Sequence, residues 1–385
     1  MTDPFVPVRP RYGRGSLADV LPSVLSVLGV PGAPDPLRLA EELDGVRRVA
    51  VLLVDGLGWY QIPTATPYAP TLADLAATGA RRLTVGFPST TPTSLVTFGT
   101  GDTPGRHGVL GFRVRVPGTG EVLTHITWPG SAIPDPLEWQ PLPTQFQRAA
   151  AAGVTVTVVA RPEFAGSGLT LAAYRGGSYR GAEDVDALAA EMLAALRSDL
   201  GPALVYGYYP DLDRHGHLAG VDSTSWRLAA AEVDRLLDLL IDGLPADTAL
   251  LVTADHGQLN VPQEHRFDLD TDPRLRAGVT VVAGEARVRY LHVEPGAVDD
   301  VVAAWRSVLG EAAWVATRAE AIAAGWFGPV PEAHLARVGD VVVACHDSYA
   351  VLATETDPPF EAKLVAYHGS YTATEMMVPL LVVRP

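Results

Sequence analysis

Four apolar-rich runs punctuate the first two thirds of the chain, at residues 49–54 (VAVLLV), 154–160 (VTVTVVA), 203–208 (ALVYGY) and 248–253 (TALLVT). Runs of this kind, ended by polar or glycine-containing sequence, are the pattern of strands covered on both faces. Between them, residues 182–200 place Leu188, Met192, Leu193 and Leu196 at helical spacing, and residues 223–244 do the same with Leu228, Val233, Leu236, Leu237 and Leu240. Strand, helix, strand, helix predicts an α/β fold with a central, mostly parallel sheet flanked by helices.

Beyond residue 258 the pattern loosens. Short strand-like runs at 279–282, 286–293 and 340–344 surround helix-like residues 299–309 and 318–324. They predict a small α+β insertion over 259–365, set into a catalytic core made of residues 1–258 and 366–385. Residues 378–383 (VPLLVV) then supply a last buried strand. The proline-rich stretch 117–143, with Trp128 and Trp139, reads as a lid or substrate wall, and Trp326-Phe327 offers a second pair of rings for stacking a nucleobase.

The polar residues that break this pattern fall at its strand ends. Asp55 follows the first strand, Asp213 and His217 the third, and Asp255-His256 the fourth, while His368 stands just before the last. Open α/β sheets bind ligands beyond the carboxyl ends of their strands, so these remote points are expected to meet in one site. Three of them have a plain alternative, Asp55-Gly56 as a turn, Asp213/His217 as a solvated helical pair and His368 as a hydrogen-bonded loop histidine, while adjacent Asp255-His256 at a strand end rarely serve packing. Asp211/His215 has the same spacing of four as Asp213/His217. Taken together, three aspartates and three histidines are the donor set of hard-to-borderline divalent ions, with zinc foremost and manganese or iron also suited.

Charge and cysteine content narrow the chemistry. Of 385 residues, 29 are Lys or Arg against 44 Asp or Glu, a net charge of −15, which argues against a protein gripping a nucleic-acid scaffold through a basic surface. A small phosphate substrate would instead meet positive charge on bound metal ions. The single cysteine, Cys345, excludes an intramolecular disulfide and a thiolate cluster. No apolar run reaches the ~20 residues of a membrane-spanning helix. Residues 1–32 also lack a basic start followed by an apolar stretch, so no membrane partner and a cytoplasmic location are expected. The hydroxyl cluster FPSTTPTS at 87–94 is either a capped turn or the source of a nucleophile.

At this point the residues resemble a family. VDGLG at 54–58, FPSTTPTS at 87–94 leading to GTGDTPGRHG at 99–108, DRHGHLAG at 213–220, TADHG at 253–257 and HG at 368–369 are similar to the motif blocks of the alkaline phosphatase superfamily. They are most similar to its nucleotide pyrophosphatase/phosphodiesterase branch, in family order over nearly the whole chain. The resemblance implies an alkaline phosphatase-like fold and cleavage of phosphodiester or pyrophosphate bonds, nucleotides being the implied substrates, through a phospho-threonine at a two-metal site. It assigns one zinc to Asp55, Asp255, His256 and the nucleophile, and the other to Asp213, His217 and His368. Counting back from Thr100-Gly101 makes Thr91 the nucleophile, with Thr90 as the alternative. Gly216-His217 followed by Gly220 matches the family's Gly-His-x-x-Gly and favours Asp213/His217, while Pro210-Asp211 favours Asp211/His215. Where familiar members carry Phe-Pro-Asn after the threonine, this chain has Pro92, Thr93 and Ser94, so Ser94 takes the asparagine's substrate-binding place. A phosphomonoesterase or phosphonate hydrolase would share the same groups. A sulfatase is disfavoured by the lack of a Cys/Ser-x-Pro-x-Arg motif, and a non-catalytic metal-stabilised binding protein by the intact site.

Overall fold

The computed structural model describes residues 3–130, 134–198 and 201–384. Six strands of the main sheet come first in the chain: β1 (Arg48–Val54), β2 (Arg81–Thr84), β3 (Thr155–Ala160), β4 (Ser178–Gly181), β5 (Ala203–Tyr209) and β6 (Thr248–Thr253). A second sheet follows with β7 (Val279–Glu285), β8 (Val288–Val293), β9 (Ala313–Thr317) and β10 (Val341–Cys345), after which β11 (Met377–Val383) returns to the first. The main sheet runs β2-β11-β6-β1-β5-β3-β4. Its strands are parallel except β11, which is antiparallel to both β6 and β2.

The three central strands β6, β1 and β5 are buried along their whole length, as their unbroken apolar runs require. The two edge strands, β2 (RRLT) and β4 (SYRG), carry no such run and escape a hydropathy reading. Edges are half solvated and tolerate charge, so their pattern resembles loop. Helices α1 (Thr91–Thr100), α2 (Val185–Arg197), α3 (Asp211–Ala219) and α4 (Thr224–Gly243) belong to this layer. The predicted helix over 182–200 is shorter than expected: Asp184 caps it by accepting from Ala187 N, and residues 199–200 lie outside the described residues.

The second sheet, ordered β7-β8-β10-β9, is antiparallel throughout. With α5 (Val298–Leu309) it encloses its own apolar cluster around the buried Trp305, whose indole donates to Leu275 O at 3.1 Å. A buried, bidentate Arg287–Glu375 pair, 2.7 and 2.9 Å, ties this sheet to the segment that leads into β11. Glu375 also accepts from Ser370 N at 2.9 Å, which fixes the turn after His368. Among the described residues, no helix is long and apolar enough to cross a membrane.

Candidate metal centre

The centre lies where β6, β1 and β5, adjacent in the sheet, end together. Asp55 is the first residue after β1, Asp255-His256 stand two residues past β6, and Asp213 sits in the first turn of α3, directly after β5. Gly56 makes the approach possible: its φ is +75°, and a Cβ there would lie 2.9 Å from Asp213 Cβ. Gly216 does the same for α3, since a side chain would collide with Gln258, which donates to Asp213 Oδ1 at 2.8 Å.

Two groups result. Asp55, Asp255 and His256 offer donor atoms within 4.8 Å of one another, and so do Asp213, His217 and His368. His256 Nε2 is 3.4 Å from both Asp55 Oδ1 and Asp255 Oδ2, and His217 Nε2 is 3.2 Å from Asp213 Oδ2. The groups adjoin, with the rings of His256 and His368 stacked at 3.6 Å between centroids. Thr91 Oγ1 lies 3.0 Å from His256 Nε2, at the N-terminal end of α1. That end carries amides without intrahelical partners and the positive pole of the helix.

The donors fit divalent cations. Asp55 Oδ1 and Asp255 Oδ2 are buried with no hydrogen-bond partner. Burial, reinforced by repulsion from Asp255 and Asp213, pushes the Asp55 carboxyl well above the usual range, and burial raises Asp255 as well. For Asp213 burial also acts upward, but His217, His368 and His256 outweigh it and hold this carboxyl low. His217 Nδ1 is 2.7 Å from Ala366 O and His368 Nδ1 is 3.0 Å from Ser89 O. A carbonyl only accepts, so both Nδ1 atoms carry a proton, which leaves the two Nε2 atoms, 3.1 Å apart, as the nitrogens that would ligate an ion. Carboxylates and imidazole nitrogens converging in one buried space form a donor set whose charge a divalent ion would offset.

The structure places the sequence alternatives in different surroundings. Asp211 accepts from Arg161 Nη2 at 2.5 Å and belongs to neither group, and neither does His215. Thr91 lines the cavity above the centre, whereas Thr90 does not and sits beside Glu285. Ser94 is fully buried one turn into α1, its hydroxyl unpartnered, and does not line the cavity. Three residues escaped the sequence reading. Tyr208 donates its hydroxyl to Asp55 Oδ2 from the end of β5, Gln258 holds Asp213, and Glu285 reaches in from β7 to 3.9 Å from His368 Nδ1. A Gln just past Asp255-His256-Gly257 was a local signal, whereas nothing near Glu285 in sequence points to the site.

Above the centre opens a cavity of about 470 Å3. Its walls are not the expected tryptophans. Trp128 and Trp139 are buried, their indoles donating to Pro134 O at 3.1 Å and His125 Nε2 at 3.0 Å, and Phe327 is buried against Phe87. Trp326 lines a separate pocket with Phe87 and Tyr371. Aromatic residues in a proline-rich stretch read as exposed, but satisfied indoles and close ring packing make these core. Residues 131–133 of the expected lid lie outside the described residues.

A family model described as type I phosphodiesterase/nucleotide pyrophosphatase matches residues 49–371. No curated protein sequence gives a significant match. Among solved structures, murine ectonucleotide pyrophosphatase/phosphodiesterase 5 aligns with a TM-score of 0.68 at 19% identity, 88% of each chain being covered. An inactive variant of the murine protein, in complex with AMP, aligns at 0.67 and 18% identity over 87% of each chain. Phosphonoacetate hydrolase from Sinorhizobium meliloti 1021, in complex with phosphonoformate, aligns at 0.64 and 21% identity, covering 88% of this chain and 90% of that one. These structural likenesses are of fold, while the family match spans the motif blocks themselves. The chain belongs to the type I phosphodiesterase/nucleotide pyrophosphatase family, a branch of the alkaline phosphatase superfamily, and is a metal-dependent phosphoester hydrolase.

Proposed function

We propose that the protein hydrolyses phosphodiester or pyrophosphate bonds, with nucleotides among its substrates, through a phospho-threonine on Thr91. The observation that carries this reading is the position of Thr91 Oγ1, 3.0 Å from His256 Nε2, in the cavity lining and beside the Asp55/Asp255/His256 group. Asp55, Asp255, His256 and Thr91 would hold one divalent ion, and Asp213, His217 and His368 the other, zinc being the ion their donors suit best. Bound there, two dications would lower the pKa of an oxygen nucleophile and offset charge on the phosphoryl oxygens.

The chain's own part is positional. The end of α1 presents the Thr91 oxygen toward phosphorus; a P–O bond forms there as the bond to the leaving alcohol or phosphate breaks. Water then attacks the same phosphorus, the threonine oxygen leaves and takes up a proton, and the enzyme is restored. The AMP complex of the murine relative supports a nucleotide substrate. The phosphonoacetate hydrolase likeness supports a second reading, in which a phosphonate is cleaved on the same scaffold. Thr91→Ala should retain its bound metal, measured by elemental analysis, and lose at least about 10³-fold in kcat on bis(p-nitrophenyl) phosphate. Substantial residual turnover would remove Thr91 from the nucleophile's role.

A further inference from the structure

Seven large apolar side chains are exposed among the described residues, and three of them gather at one place. Ile126, Leu218 and Phe360, 47%, 59% and 58% exposed, all line the cavity above the metal centre. Beneath them the lining continues with Leu95, Phe112 and Phe164. Scattered exposed apolar residues need no explanation, but a ring of them around a cavity mouth marks a surface completed by a ligand.

The charges of the same cavity are equally selective. Outside the two donor groups, its ionisable carboxyls are Glu285 and Glu361, each with an unpartnered, buried Oε1. A carboxyl group in either protonation state cannot neutralise a second anion. The one arginine in the lining, Arg214, stands at the rim, 63% exposed and 3.9 Å from Asp211. Two further arginines lie behind the wall and are already engaged. Arg113 and Arg289 both bind Asp357, the latter through 2.5 and 3.1 Å contacts, and so anchor the strap that carries Phe360, Glu361 and Leu364.

We infer that the cavity takes a phosphodiester whose organic group is uncharged and apolar, and that Phe360, Leu218 and Ile126 form its specificity surface. The inference rests on the phosphodiester part of the proposed function and narrows it, setting apolar phosphodiesters ahead of nucleotides: substrates with a second negative charge on the group that fills the cavity, as a pyrophosphate or a carboxylated phosphonate has, are disfavoured. An aryl and an alkyl group share the required chemistry.

The test compares p-nitrophenyl esters of methyl, butyl, phenyl and 3-carboxypropyl phosphate on the metal-loaded enzyme. The butyl and 3-carboxypropyl groups have nearly the same length and differ in terminal charge. From methyl to butyl, kcat/KM should rise about tenfold, the gain of partly burying three methylenes. The 3-carboxypropyl ester should fall back to the methyl value or below. Phenyl above butyl would assign the surface to aryl groups, and butyl above phenyl to alkyl groups; both orders support the inference. Phe360→Arg, at an exposed position, should lower the butyl ester at least about threefold and raise the 3-carboxypropyl ester. A wild-type preference for the charged ester, lost in Arg214→Ala, would overturn the inference, as would indifference to chain length. Equal turnover of the methyl ester by wild type and Thr91→Ala would refute the phospho-threonine mechanism instead. Calorimetric titration of metal-loaded Thr91→Ala with the butyl and 3-carboxypropyl esters gives the affinity order without any turnover, and tighter binding of the charged ester would again overturn the inference.

Discussion

The floor and the walls of the cavity are built on different principles. Of the candidate metal donors on the floor, Asp55, Asp213, Asp255 and His256 sit within a few residues of the carboxyl end of a central strand, and those strands are neighbours in the sheet. The walls draw instead on the exposed face of α3, on the segment around Ile126 and on the strap near Phe360, segments remote in sequence and pinned by tertiary contacts. Chemistry shared across a fold is kept at strand ends that the sheet fixes, and selectivity is carried by parts that vary without disturbing that sheet.

The largest effect should come from emptying the floor. Dialysis against a chelator is expected to reduce hydrolysis of bis(p-nitrophenyl) phosphate to background, with recovery on adding back zinc or manganese; full activity without metal would break the comparison at its base. An intermediate effect should follow from loosening one floor ligand. Tyr208→Phe removes the hydroxyl that engages Asp55 Oδ2, leaving that carboxylate freer to turn. Metal affinity, read by calorimetric titration, should weaken about tenfold, while the ratio of butyl to methyl ester turnover stays unchanged because phenylalanine keeps the ring that Tyr208 contributes to the cavity lining. A change in that ratio would show floor and walls to be coupled.

The wall is probed through stability instead of turnover, and the effect appears with pH. His125 is buried beside Ile126, accepting from the Trp139 indole through Nε2 at 3.0 Å while its Nδ1 lies 2.8 Å from Gly111 O. Burial pushes its pKa down from the ordinary 6.5 to about 4. A histidine held below its unfolded value contributes stability that is complete above pH ~6.5 and is lost as pH falls toward ~4, on the order of 3 kcal/mol in all. Denaturant midpoints at pH 7 and pH 4.5 should therefore differ more in the wild type than in His125→Gln. An equal acid loss in the two would exclude His125 as the source.

The contrast also governs what a reading of the chain recovers. The central strands were legible because burial on both faces leaves no room for alternation, and the donors were legible because polar pairs such as Asp255-His256 are conspicuous where a buried run stops. Asp213/His217 and Asp211/His215 were indistinguishable by spacing alone. The turn of α3 sets them apart, grouping Asp213 with His217 and His368 and leaving Asp211 to Arg161. Glu285 was invisible because it enters from the second sheet, 83 residues before His368. Trp128, Trp139 and Phe327 misled for a related reason: amphipathic rings suit a wall or a core equally, and only their partners tell which.

By itself, then, the sequence determined the α/β framework, the chemistry of the donor set and the order of its motif blocks, because each depends on contacts within a strand or the turn that follows it. The tertiary structure alone decided which hydroxyl of the FPSTTPTS cluster lies beside His256, which side chains close the cavity and where its charge is missing. Those depend on how distant segments pack, which local pattern does not encode.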